Sequence, residues 1–121
     1  MKANLKHLLA KNVSSLAKAQ GHTSVSLGKK TGTSQPTMNR LMSARDDTQD
    51  PRLGTIEATA EALKMPAWAL LFDSPSLEEL ADQRITESIK LMLGCSKKNR
   101  DKIFDLINDI ARLDSLDRNH S

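Results

Sequence analysis

An all-α fold is what this sequence predicts, and three observations carry the prediction. Apolar residues recur at intervals of three and four, and no strand-like alternation occurs anywhere. Aromatic residues, which sheets favour, are limited to Trp68, Phe72 and Phe104, with no tyrosine. Glycines, prolines and hydroxyl residues stand where helices would start and stop. The 121 residues suffice for one domain with an appended helical segment. A core this small is often stabilised further by pairing with a copy of itself.

Leu5, Leu8, Leu9, Val13, Leu16 and Ala17 predict a first amphipathic helix over Lys2 to Gln20, ended by Gly21. Thr23 or Ser24 can cap a second, short helix that carries Val25, Leu27 and Gly28 inward. Gly32 supplies a left-handed turn position. Ser34 can cap a third helix running to about Ser43, with Pro36 in its first turn; because proline biases the preceding residue away from helical geometry, the start falls at Gln35 or at Pro36. The polar stretch Ala44 to Arg52 reads as a loop around Asp50-Pro51. Leu53, Ile56, Ala60 and Leu63 mark a fourth helix, and Pro66 at a first helical position opens a fifth through Phe72. The boundary of this domain is expected at Asp73, giving 1–73, with 74–121 as a helical segment of its own. There, Ser76 and Glu79 form a capping-box pattern ahead of Leu77, Leu80, Ala81, Ile85, Ile89 and Met92, and Gly94 closes that helix. Ser96 opens the next, whose stripe is Ile103, Leu106, Ile107, Ile110 and Leu113; the final residues, Asp117 to Ser121, are expected to fray.

Charge is distributed unevenly. Eight basic residues and no acid precede Asp46, whereas the rest of the chain holds ten basic and fifteen acidic residues, for a net +3. A cationic lobe without carboxylates is an electrostatic footprint for a polyanion, with an ordinary solvated basic face as the alternative. Other chemistries find little support. Cys95 is alone, so neither a disulfide framework nor a cysteine-rich zinc site is indicated. His7, His22 and His120 lack metal spacing, and no Ser-His-acid set is visible. Gly21 and Gly28 enclose six residues after a helical segment, unlike a phosphate loop. Neither an enzyme nor a cofactor is therefore expected. Asn12-Val13-Ser14 matches a glycosylation sequon, but without a leader it is read as chance. With no long apolar run either, cytoplasm is the expected location.

Residues 24–43 form the pattern that suggests a function. Two short helices around a glycine turn, with Leu27, Gly28, Met38 and Leu41 inward, match a helix-turn-helix. Gln35, Pro36, Thr37, Asn39 and Arg40 then point away from the core, on a helix of the right size for the DNA major groove. The stretch from Ser24 to Ser43, with Asp50 to Leu71, resembles the lambda-repressor-like, Cro/repressor-type (XRE) DNA-binding domain. The resemblance covers about Asn4 to Phe72 and rests on Thr31-Gly32, Ser34-Gln35, Arg40-Leu41 and the spacing of Leu53, Ile56, Ala60, Ala62 and Leu63. It implies a five-helix domain and a cytoplasmic transcriptional regulator, a phage-type repressor that binds operator DNA as a two-fold dimer. The chain departs from the family at Gly28, usually alanine, where a mid-helix glycine costs about 1 kcal/mol. Thr33 replaces the usual apolar residue, and Ser24 is shorter than the glutamine that braces the first Gln of the third helix. The acidic loop from Asp46 to Asp50 is longer than usual and is expected to bend away from phosphates.

Gln35 can bridge an adenine edge, and Arg40 can grip guanine or reach a phosphate; a good bidentate contact discriminates by roughly 1–3 kcal/mol. Asn39 and Thr37 are candidates for base or backbone contacts. Pro36 either touches a thymine methyl or only initiates the helix. Thr23, Ser24, Lys29, Ser43 and Arg45 are candidate phosphate contacts. Trp68 either anchors the dimer, as the fifth helix does in the resembling family, or covers the edge of its own core. Ile103, Ile107 and Ile110 are candidates for a second dimer contact. The 48 residues from Ser74 are too few and too helical for the self-cleaving domain of large repressors. The rival reading is an antitoxin or adaptor whose helical tail binds a protein partner, with DNA binding serving autoregulation.

Overall fold

The computed structural model describes residues 4–43, 50–74 and 76–120, and among these the chain is all-helical, without strands. Asn4 starts α1 (Leu5–Ala19) by accepting the His7 N–H at 3.2 Å. Then follow α2 (Ser24–Thr31), α3 (Gln35–Ser43), α4 (Leu53–Ala62), two 3-10 helices (Ala67–Leu71 and Leu77–Ala81), α5 (Gln83–Leu93) and α6 (Lys97–His120). The chain divides into two compact units, Met1–Ala81 and Asp82–Ser121. No described helix is long and apolar enough to cross a membrane.

Three helices of the first unit end by the same closure. After α1, the Gly21 N–H donates to Lys18 O and the His22 N–H to Ala17 O, with Gly21 at φ 76°. After α2, Gly32 and Thr33 repeat this onto Lys29 and Gly28, with Gly32 at φ 71°. After α4 the left-handed position falls on Lys64, at φ 59°, while Met65 donates to Ala60 O. The motif satisfies the last carbonyls of a helix, and glycine fits its left-handed residue without a β-carbon penalty.

The core of this unit is built from Leu9, Val13, Leu16 and Ala17 of α1, Leu27 of α2, Met38 and Leu41 of α3, and Ala60 and Leu63 at the end of α4. Ala69 and Leu70 close it from the first 3-10 helix. Polar bonds then tie α1 to the other elements. Asn12 is buried, and its amide donates to Leu70 O at 2.7 Å and Phe72 O at 3.1 Å. Ser14 donates to Met42 O at 3.1 Å, and Gln20 to Leu63 O at 2.8 Å. Unpaired buried carbonyls are costly, so these side chains fix where the ends of α3, α4 and the 3-10 turn lie against α1.

Several expectations are corrected. The segment after Pro66 is a single 3-10 turn rather than an α-helix, with Pro66 as its cap at ψ 141°; a run this short favours the tighter helix. The helix expected from Leu77 to Met92 is two elements. Leu77 and Leu80 are buried, and their 3-10 turn packs on α1. Asp82 then caps α5 separately, accepting the Arg84 N–H at 2.9 Å. Leu5, Val25 and Leu53 are exposed, not inward, because each lies in the first turn of its helix, ahead of the packed stretch. At the end of the chain α6 extends as far as His120, and Ser121 lies outside the described residues.

Candidate nucleic-acid interface

Thr23 and Ser26 start α2 with a reciprocal capping box: Thr23 accepts the Ser26 N–H at 3.1 Å, and Ser26 accepts the Thr23 N–H at 2.8 Å. Ser34 starts α3 by accepting the Thr37 N–H at 3.3 Å. The helix begins at Gln35 with Pro36 second, so Pro36 does not push the start back by one residue. Between the two helices, a β-carbon on residue 28 would lie 2.8 Å from Thr33 O and 3.9 Å from Gln35 Cα. Gly28 is thus the residue that lets α3 begin so close to α2.

Met38 is fully buried and Leu41 is buried behind α3, with Met42 half-buried beside them. At about 100° per residue, the opposite arc carries Pro36, Asn39, Arg40 and Ser43, flanked by Gln35 and Thr37. All six are exposed. The helix therefore offers the amides of Gln35 and Asn39 and the guanidinium of Arg40 to one ligand surface. Thr37 is partly committed, since its hydroxyl accepts from Ser34 Oγ at 2.8 Å. Ser43 likewise donates to Arg40 O at 3.3 Å.

Among the candidate phosphate residues, Thr23 and Lys29 are exposed and Ser24 is half-buried at the first position of α2. The Thr23 hydroxyl is held in its capping box, which leaves the backbone at the head of α2 as the natural anion contact there. Lys29 and Lys30 occupy the last turn of α2 and Arg40 that of α3, where cations suit the helix dipole. Arg45 lies outside the described residues, as do Asp46 to Gln49 of the acidic loop.

Sequence reasoning gave no weight to a hollow of about 390 Å³ on the flank of α3, lined among others by Lys6, Ser34, Thr37, Arg40, Asp50 and Arg52. Asp50 lines the same hollow as Arg40, Lys6 and Arg52. The signal for Lys6 was its membership of the acid-free basic lobe, whereas Arg52 lies in the acidic remainder, and nothing in the spacing of either placed it beside α3.

No protein-family model, curated protein or solved structure matches the chain.

The remaining candidates lie elsewhere. Trp68 is 36% exposed and meets Phe72 edge to face, with ring centroids 6.0 Å apart. In the second unit Ile103 is half-buried, while Ile107 and Ile110 are more than half exposed. No group of three His, Cys, Asp or Glu residues among the described ones is placed to hold a metal ion.

Proposed function

We propose that the chain is a sequence-specific, double-stranded DNA-binding regulator of the lambda-repressor-like kind. In this reading α1 to α4 and the first 3-10 turn form the five-helix domain, and α2 and α3 its helix-turn-helix. Gln35, Pro36, Thr37, Asn39 and Arg40 read bases, while Thr23, Ser24, Lys29, Ser43 and Arg45 meet phosphates. It acts in the cytoplasm as a homodimeric, phage-type repressor without catalysis or cofactor, with Trp68, Ile103, Ile107 and Ile110 as candidate pairing residues.

One observation carries the reading: α3 is anchored from behind by Met38 and Leu41 and braced by Ser14, while its exposed outer arc, Pro36 apart, is polar or cationic. A stiffly held helix with such an arc suits the major groove, and a lobe without acids before Asp46 suits phosphates. Selection of bound sites from a random duplex library tests it. The expected result is a two-fold consensus with half-sites roughly 34 Å apart, bound more weakly as salt rises. Binding without preference among duplexes, even at low salt, overturns it.

A second reading, an antitoxin or adaptor with a partner-binding tail, is favoured by one fact: no described residue from Asp82 onward is buried. Light scattering separates the two, since a full-length monomer favours a foreign partner.

A further inference from the structure

We propose that α6 pairs antiparallel with α6 of a second copy of this chain. The proposal rests on the homodimer suggested above and specifies its geometry. In the second unit Leu106, Ile107, Ile110, Leu113 and Leu116 are each between 51% and 60% exposed. A stripe of that length at helical spacing is too apolar to be left in water.

Two features of α6 identify its cover. With Ile103 and Ile110 at the a positions of a heptad, Leu106 and Leu113 fall at d, giving an apolar a/d seam against which a second helix can pack without itself fixing the direction. The charge pattern then sets the direction. The first six residues, 97–102, hold four cations and one acid, whereas 103–120 hold four acids and two cations. Both ends carry the sign that the macrodipole of a lone helix disfavours. A parallel partner would lay like ends side by side and set Asp109 at g against Asp114 at e of the second copy. An antiparallel partner brings each cationic start against an acidic finish. In the register that stacks Ile103 on Leu113 and Leu106 on Ile110, Arg100 meets Asp114 of the second copy twice. Asp109 then lies near the two-fold axis, where its own Arg112, 3.4 Å away, offsets it.

The same register places Asn99 opposite Asp117, which a cross-link can read in the full-length chain. On a Cys95→Ser background, Asn99→Cys and Asp117→Cys proteins are oxidised singly and mixed. The expected product is a disulfide between the two variants in the mixture, with little self-linking of either. Preferential self-linking of each variant would establish a parallel pair and overturn the proposal. So would a monomer by light scattering with no cross-link, which would leave a different protein as the cover. A second measurement guards against a local effect of the cysteines. Asp114→Arg should raise the dimer dissociation constant about tenfold, because two exposed pairs turn repulsive at once. Adding Arg100→Glu should restore it; no recovery at unchanged helix content counts against the pairing. No nucleic acid enters either experiment, so failure here leaves the site-selection result standing, and the reverse holds too.

Discussion

The carbonyl oxygen of Thr33 lies 2.8 Å from where a side chain on Gly28 would begin, and the Thr33 amide donates to the Gly28 carbonyl at 2.9 Å. Helix propensity alone predicts that Gly28→Ala gains about 1 kcal/mol. The close approach of backbone to backbone cancels that gain, since overpacking costs about 1–3 kcal/mol. Denaturant unfolding should show no stabilisation for Gly28→Ala and a clear loss for Gly28→Val. A full gain for the alanine variant would mean that the turn yields freely.

Asn12 holds two carbonyls of the 3-10 segment from across the core. Asn12→Ala should lower stability by about 1–3 kcal/mol, the cost of leaving buried acceptors unpaired. Asn12→Asp should be worse at neutral pH, because an ionised carboxylate has no hydrogen to donate to Leu70 and Phe72. Thermal unfolding of the two variants checks the order.

Lys64 occupies a left-handed position that its two counterparts, Gly21 and Gly32, fill without strain. Relief of the β-carbon clash costs some unfolded-state entropy in return, so Lys64→Gly should stabilise by about 0.5 kcal/mol net. Lys64→Val should destabilise. Equilibrium unfolding midpoints read both.

Asp82 caps α5 and is held below its ordinary 3.8 by the side-chain hydrogen bond from Arg84 and then by the Arg84 backbone N–H. A depressed folded-state carboxyl contributes stability that is full above the unfolded value and lost as pH falls through the folded one. An NMR titration of the Asp82 carboxyl should therefore give a midpoint below 3.8. Arg84→Ala should move it upward. The Arg84 side chain is exposed and solvent screens the pair, so the effect on global stability should be small.

Arg40 distinguishes base reading from simple charge attraction. If it grips a base edge, Arg40→Ala should weaken the selected site by about 1–3 kcal/mol and random duplex far less. Equal losses on both, with a shallower salt dependence, would assign Arg40 to a phosphate. Filter binding or fluorescence anisotropy over a salt series decides.

Much of the first unit was legible because its signals are local. Thr23, Ser34, Gly21 and Gly32 do their work within four residues of themselves, and Met38 with Leu41 declares the buried side of α3. The exposure of Gln35, Pro36, Thr37, Asn39 and Arg40 follows from that same phase. What escaped notice depends on distant partners. Asn12 stood out only as the head of a chance sequon, and its acceptors lie 58 and 60 residues away. Lys64 gave no turn signal, since lysine seldom takes that conformation. The division at Asp82 was hidden because Leu80 and Ile85 keep helical spacing across it, although Leu80 is buried in the first unit and Ile85 belongs to the second.

The edge-to-face contact of Trp68 with Phe72 has an optical consequence. With one tryptophan and no tyrosine in the chain, red-edge excitation lights a single indole, on the 3-10 turn that Asn12 fastens. Its emission colour reports whether that turn stays clamped or swings into water. Quenching by iodide reports whether anything comes to cover it, and no label need be added.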